Sequence, residues 1–234
     1  MFPVAILVGG LATRLRPITS SIPKAMVEVA GKPFIVRQLG YLRDQGVSHV
    51  VLCVGHLGDM IREVVGSGES FGIKVTYSDD GPTLLGTGGA LRNALPRLRN
   101  QFFVLYGDSF LPLDFSVVQE AYVRSNQQAL MTVFKNKNQW DKSNVLFLNG
   151  RLLEYNKRTP RPEMTYIDYG LAVVSASVLE KYPSNQGFDL ADVYHSLSLE
   201  GQLAGFEVQE RFYEIGSHSG LKEAEEYFLG KGQL

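Results

Sequence analysis

The sequence predicts an α/β fold: a mostly parallel sheet flanked by helices, into which an antiparallel portion is inserted. Three observations carry this expectation. Over roughly the first hundred residues, short β-branched runs alternate with segments of helical period, the mark of successive strand–helix–strand units. In the second half, two apolar runs flank Asn149-Gly150, the strongest short signal for a tight hairpin. The composition, 44% hydrophobic and 20% charged over 234 residues, suits a chain that buries a sizeable core.

Taken in order, Val4 to Val8 reads as the first strand, a continuous apolar run that ends at Gly9-Gly10. After a polar loop, Phe34, Ile35, Leu39 and Leu42 recur at near-helical spacing up to Gly46, a natural helix stop. Val50 to Val54 is a second buried strand, and a short helix at Asp59 to Val65 leads through a Gly-rich turn to a strand at Ile73 to Tyr77. A helix around Ala90 to Leu98 precedes the strand Phe102 to Tyr106. Asn144 to Leu148 and Leu152 to Tyr155 form the hairpin arms, and Thr165 to Val174 is a further strand. A helix at Leu190 to Leu199, strands at Leu203 to Val208 and Phe212 to Ile215, and a helix at Gly220 to Leu229 complete the chain. With no repeat and no linker-like stretch, one domain over 1–234 is expected, divided into a part to about residue 135 and a closing part from about 136.

Charge excludes several functions. Lysine and arginine number 23 against 24 acidic residues, a net of −1, which provides no basic field for a nucleic acid or an anionic membrane. Phe2 to Val8 has no basic flank and fails as a signal peptide, and no apolar run approaches the roughly 18 residues of a membrane span. The single cysteine, Cys53, lies in an apolar run and fits a reducing cytoplasm. The four histidines show no metal-ligand spacing, and no G-x-S-x-G elbow occurs.

The stretch Leu7-Val8-Gly9-Gly10-Leu11-Ala12-Thr13-Arg14-Leu15-Arg16-Pro17, followed by Pro23-Lys24, carries the most chemical information. Paired glycines after a buried strand bring backbone N–H groups close to an anion, and Arg14, Arg16 and Lys24 add positive charge, an arrangement suited to a polyphosphate. The string is neither a P-loop nor the dinucleotide fingerprint. Further on, Gly86-Thr87-Gly88-Gly89 opens a helix, where free N–H groups suit a nucleoside. Asp108 ends the apolar strand Phe102 to Tyr106, at the carboxyl edge where open α/β sheets bind ligands. Taken singly, each also fits an ordinary turn, helix start or loop cap.

Together, Gly9-Gly10-x-x-Thr13-Arg14-Leu15-x-Pro17, Pro23-Lys24, Leu85 to Leu91, Tyr106-Gly107-Asp108, Glu154-x-x-Lys157 and Glu214-Ile215-Gly216-Ser217 resemble, in order, the motifs of the sugar-phosphate nucleotidyltransferases. These enzymes are also called nucleotide-sugar pyrophosphorylases. Gly31-Lys32-Pro33-Phe34 and the Leu85 to Leu91 string look most like the short heptose- or hexose-1-phosphate guanylyltransferases.

The resemblance implies a Rossmann-like sheet whose inserted portion binds the sugar. It also implies transfer of a nucleoside monophosphate from a nucleoside triphosphate to a sugar 1-phosphate, with release of pyrophosphate. GTP and a manno-configured hexose or heptose are favoured, with UTP, CTP and dTTP as alternatives. It assigns Arg14, Lys24 and Asp108 to catalysis. Leu7, Gly9, Gly10, Thr13, Gly86, Thr87, Gly88 and an acidic residue, Asp80 with Asp79 competing, fall to the nucleotide, and Lys157, Asp168 and Gly170 to the sugar phosphate. Asp108 and Glu214 would share Mg²⁺. Three positions depart from the family: Ala12 for glycine, Asn156 for glutamate and Glu214 for aspartate. They keep a catalytically silent nucleotide-sugar-binding subunit in view; a glycosyltransferase is disfavoured because no Asp-x-Asp motif accompanies the triphosphate-like loop. A homo-oligomer is compatible with the sequence, although nothing in it specifies one.

Overall fold

The computed structural model describes residues 1–10 and 13–230. Its strands and helices are β1 (Val4–Leu7), β2 (Glu28–Val29), β3 (Lys32–Pro33), α1 (Phe34–Asp44), β4 (His49–Val54), α2 (Gly58–Val65) and β5 (Lys74–Asp79). Next come α3 (Gly86–Ala94), β6 (Gln101–Tyr106), β7 (Ser109–Phe110), α4 (Phe115–Ser125), β8 (Ala129–Lys135), β9 (Val145–Leu148) and β10 (Arg151–Tyr155). The last are β11 (Tyr166–Ser175), α5 (Ala176–Glu180), α6 (Leu190–Leu199), β12 (Leu203–Val208), β13 (Tyr213–Glu214) and α7 (His218–Gly230).

One nine-stranded sheet organises these elements. In its first half β5, β4, β1 and β6 lie side by side and parallel, so their carboxyl ends share an edge. The long strand β11 then runs antiparallel to β6 and to β8, and β12 joins β8 in parallel. The β9–β10 hairpin attaches through the start of β11, opposite Tyr166. This is the mixed, mostly parallel α/β sheet the sequence predicts, with its antiparallel insertion. Asn149 and Gly150 both adopt positive φ, 50° and 74°, as the two-residue hairpin turn requires.

Both faces of the sheet are covered, which explains strands that read as continuous apolar runs. Val4, Ile6, Leu52, Phe103 and Leu105 pack with Ile35 and Leu39 of α1 and Phe115 of α4. The alternate residues Ala5, Val51, Cys53 and Val104 pack on the other face with Leu91 of α3 and Tyr194 of α6. A smaller cluster, Leu15, Val27, Phe34, Phe110, Ile215 and Phe228, ties α7 to the loop after β1. No described helix is long and apolar enough to cross a membrane.

The short pair β2–β3 occurs where the sequence suggests only a polar loop, α5 where it suggests no element, and three larger regions also differ from expectation. Between Tyr106 and Asn144, where the sequence suggests no element, α4 and the buried strand β8 occur. The α4 pattern is blurred because Val117 and Val123 face outward, 42% and 62% exposed, so the helix lacks a clean apolar stripe. The helix expected around Ala90 to Leu98 begins earlier, at Gly86, and tightens into a 3₁₀ turn at Leu95–Arg97, where Pro96 removes a donor. Phe212 to Ile215 contributes only the two residues of β13, which pair with β7 apart from the main sheet.

Candidate functional site

At the carboxyl edge of the parallel strands, two loops are drawn together by glycine. A Cβ at Gly107 would lie 2.4 Å from Val8 Cγ1 and 2.8 Å from the Leu7 carbonyl, so only glycine lets the loop after β6 touch the loop after β1. The Gly107 N–H donates to that Leu7 carbonyl at 3.0 Å. Gly9 also approaches Gly55, since its Cβ would meet the Gly55 nitrogen at 3.0 Å. Gln38 of α1, buried, donates through Nε2 to the carbonyls of Tyr106 and Ser109 at 3.0 and 2.8 Å, fixing the turn that carries Asp108. No motif marks Gln38; its position on the core face of α1 is the only signal.

The first cleft opens over this edge. Leu7, Gly9, Gly10, Lys24, Asp80, Gly86, Thr87 and Asp108 all line it, joined by Leu84, Ala90 and Tyr106. Lys24 Nζ donates to Asp108 Oδ2 at 2.8 Å, and the Ser109 hydroxyl donates to Oδ1 at 3.3 Å. Asp80 faces the cleft and accepts from the Leu85 N–H at 3.4 Å. Burial pushes its carboxyl above the usual range, the Leu85 bond opposes this, and neighbouring Asp79 adds to it. Asp79 points elsewhere, gripped by Arg62 at 2.5 and 2.6 Å, so of the two acids it is Asp80 that lines the cleft.

Two residues expected at the nucleotide also serve the scaffold. Gly88 is absent from the lining; its N–H donates to the Phe188 carbonyl at 3.0 Å, and a Cβ there would strike the Phe188 ring at 2.3 Å. Thr87 lines the cleft, and its hydroxyl donates to Asp189 Oδ1 at 2.8 Å and accepts from the Leu190 N–H at 2.9 Å. That pair caps α6 and locks it to α3. Leu11, Ala12 and the Thr13 side chain lie outside the described residues.

A second cleft shares Tyr106 and Asp108 with the first. It gathers Arg14, Lys157, Asp168, Gly170 and Glu214. Asp168 and Gly170 sit where β11 shifts register against β8. Gly170 takes a φ of 105° there, and its N–H donates to Asp168 Oδ1 at 2.9 Å. Burial raises the Asp168 carboxyl to about 6, against the Gly170 bond and nearby Lys157, which lower it. Glu154 is taken by Arg161 at 2.5 Å, and Asn156 Oδ1 accepts from the Thr159 N–H at 2.9 Å.

Glu214 lies opposite Ser109 in the β7–β13 pair, and the Ile215 N–H donates to the Asp108 carbonyl at 2.9 Å, so the two acidic positions do converge. The Glu214 carboxylate, however, accepts from the Gly216 N–H and from the Ser217 hydroxyl, closing the turn into α7. Around Gly216, whose Cβ would lie 3.1 Å from Lys24 Nζ and 3.5 Å from Arg14 Nη2, both cations gather beside this carboxylate.

Sequence reasoning misses one wall of the second cleft. The Arg211 guanidinium lies 3.6 Å over the Trp140 ring and 4.7 Å over Tyr213, and it pairs with Glu223. These residues are scattered along the chain, and only the placement of the sole tryptophan in a polar loop hinted at it.

Residues 4–143 match the nucleotidyl transferase family. The chain is 29% identical over 218 residues to the catalytic subunit beta of mannose-1-phosphate guanylyltransferase from Xenopus tropicalis, covering 90% of this chain and 60% of that protein. It is 36% identical over 137 residues to D-glycero-alpha-D-manno-heptose 1-phosphate guanylyltransferase from Campylobacter jejuni, covering 58% and 59% of the two chains. The crystal structure of HddC from Yersinia pseudotuberculosis complexed with GMP-PN superposes with a TM-score of 0.79 at 27% identity, covering 97% of this chain and 100% of that one. The chain spans about 60% of the length of the curated guanylyltransferase relatives it matches. With two clefts meeting at Asp108 and a match over well over half its length, this chain belongs to the nucleotidyl transferase family.

Proposed function

We propose that the protein transfers a nucleoside monophosphate from a nucleoside triphosphate, GTP in preference, to a manno-configured hexose or heptose 1-phosphate. One observation carries this reading: two clefts, one edged by a glycine loop and Lys24, the other by Arg14 and Lys157, meet at the single carboxylate of Asp108. A reaction that joins two phosphates needs two adjoining anion sites. The guanylyltransferase names of the relatives and the GMP-PN complex favour guanine, and their mannose and manno-heptose names favour the sugar.

In this reading the first cleft holds the nucleotide. The N–H groups of Gly9 and Gly10 find no backbone acceptor among the described residues, which leaves them for phosphate oxygens. Lys24 holds the triphosphate, and Arg14 meets it from the side of the second cleft. Lys157 and the Asp168–Gly170 bulge hold the sugar phosphate. One of its oxygens attacks the α-phosphorus in line; the new P–O bond forms as the α–β bridging bond breaks, and the electron pair leaves with pyrophosphate. Arg14 and Lys24 stabilise the charge that develops, and no covalent enzyme intermediate is needed. We divide the chain into a nucleotide part to about 135 and a sugar part beyond; the first cleft is lined wholly from before residue 135, whereas the second also draws Arg14, Tyr106, Asp108 and Ser109 from that first part.

The donor set suits Mg²⁺, because Asp108 presents a hard carboxylate to both clefts where phosphate oxygens would complete the shell. Asp108 would hold the ion, and Glu214, already engaged with the α7 turn, would support it from behind. When bound, Mg²⁺ neutralises phosphate charge. The cytoplasm, which holds the nucleoside triphosphate pool, is the fitting compartment. A matrix of ATP, GTP, CTP, UTP and dTTP against sugar 1-phosphates, read by pyrophosphate release, tests the reading; GTP with mannose or manno-heptose 1-phosphate is the expected cell. Binding of nucleotide sugar with no turnover in any cell would replace it with the silent-subunit reading.

A further inference from the structure

The floor of the second cleft carries hydrogen-bonding groups that the protein leaves unpaired. Tyr106 and Tyr155 line it, and neither hydroxyl donates to an acceptor among the described residues. Behind them Tyr194, 1% exposed, packs edge-on against Tyr155 with ring centroids 6.0 Å apart, and its hydroxyl is buried with no partner. Asp168 offers a carboxylate whose one oxygen takes the Gly170 N–H and whose other oxygen takes no hydrogen bond among the described residues. Asp168 is the strongest charged neighbour of all three tyrosines, and Asp189 faces Tyr106 and Tyr155 as a second acid. Lys157 is the basic group that faces both carboxylates. Hydroxyls and a carboxylate oxygen on residues lining a cleft, with no protein partner among the described residues, are free to bond a ligand there.

A neutral sugar hydroxyl fits this set because it donates to a carboxylate and accepts from a phenol at once. A carboxylate on the sugar can only accept, and it would enter beside Asp168 and Asp189 with one lysine to share. We propose that Tyr106, Tyr155 and Asp168 are specificity-determining residues that read uncharged hydroxyls of the sugar and reject sugars bearing a carboxylate. Tyr106 has the pivotal place, because it lines both clefts. This rests on the assignment of the second cleft to a sugar 1-phosphate.

The test uses matched pairs that differ only at C6, mannose against mannuronic acid 1-phosphate and glucose against glucuronic acid 1-phosphate. Their binding to the full chain is measured by calorimetry with a non-hydrolysable GTP analogue present. The neutral member of whichever pair binds should be tighter by about 10-fold or more, the effect of an unpaired or repelled polar group. Tyr155→Phe, at a residue that lines only the second cleft, should weaken the neutral sugar by about 5- to 10-fold with GTP-analogue affinity unchanged, which also reports that the variant is folded. Asp168→Asn should shrink the gap between neutral and acidic sugars to about 3-fold or less as the repulsion is removed. Equal affinity for both members, no binding of any, or a gap that persists in Asp168→Asn overturns the proposal. Pyrophosphate release, followed separately, reports the transfer: a gap without release sinks the reaction and leaves the specificity standing, and release without a gap does the reverse.

Discussion

Replacing Asp168 by asparagine should stabilise the protein while harming its function, and the gain should depend on pH in a defined direction. Burial lifts this carboxyl from 3.8 to about 6. The unfolded chain therefore releases the proton near 3.8 whereas the folded chain keeps it to about 6. Between those values folding takes up a proton, so stability falls as pH rises through the window, and above it the whole penalty is present. At about 1.4 kcal/mol per pH unit the penalty reaches about 3 kcal/mol, and water in the open cleft should reduce it to about 1–2 kcal/mol. For a chain of this length that is a rise in melting temperature of about 2–8 °C in Asp168→Asn at pH 8, with a clearly smaller rise at pH 4.5. Circular dichroism melts of both proteins at the two pH values provide the comparison. An equal difference at both, or a variant less stable at pH 8, would refute the idea that Asp168 is held against its own desolvation. Such a cost carried at a binding site is the usual trade between stability and function.

Arg14→Ala and Lys24→Ala should each lower turnover by about 100-fold or more, the loss expected for one preorganised anion stabiliser, while melting temperatures barely move; near-normal kcat in either removes that residue from the phosphate site. Lys157→Ala should raise KM for the sugar 1-phosphate and leave nucleotide affinity intact, and a parallel loss of GTP binding in calorimetry would move Lys157 to the other cleft. Asp108→Asn should raise the Mg²⁺ concentration needed for half-maximal rate. Glu214→Asp, which shortens the carboxylate that closes the α7 turn, should instead lower stability by about 1 kcal/mol with a smaller change in metal dependence, and the reverse ranking would make Glu214 the principal ligand.

What could be read from the sequence were groups placed by local rules. Gly9-Gly10, Asp80 and Asp108 each follow directly on a strand, and parallel strands deliver their carboxyl ends to one edge, so finding the strands finds the cleft. Asn149-Gly150 fixes its hairpin by turn chemistry alone. The residues that escaped are placed by packing across long stretches of chain. Gly88 looks like a ligand-facing glycine until Phe188, from the loop before α6, is seen against it. Arg211 meets Trp140, and Gln38 reaches the turn at Asp108, only because the sheet brings distant loops to the same edge. No periodicity announces such contacts. The free hydroxyls of Tyr106, Tyr155 and Tyr194 escaped for the opposite reason: a tyrosine in an apolar run reads as core, and only the structure shows that its oxygen lacks a partner.

The central claim, that Asp108 marks the meeting point of a triphosphate and a sugar phosphate joined by direct displacement at the α-phosphorus, is tested most directly by the fate of labelled phosphate. GTP labelled at the α position and GTP labelled at the γ position are incubated separately with the protein, Mg²⁺ and mannose 1-phosphate. The account predicts that the α label appears in a nucleotide-sugar and the γ label in pyrophosphate, in equal amounts and at equal rates. Transfer of the γ label to the sugar phosphate, or release of inorganic phosphate with the α label still in GDP, would contradict it.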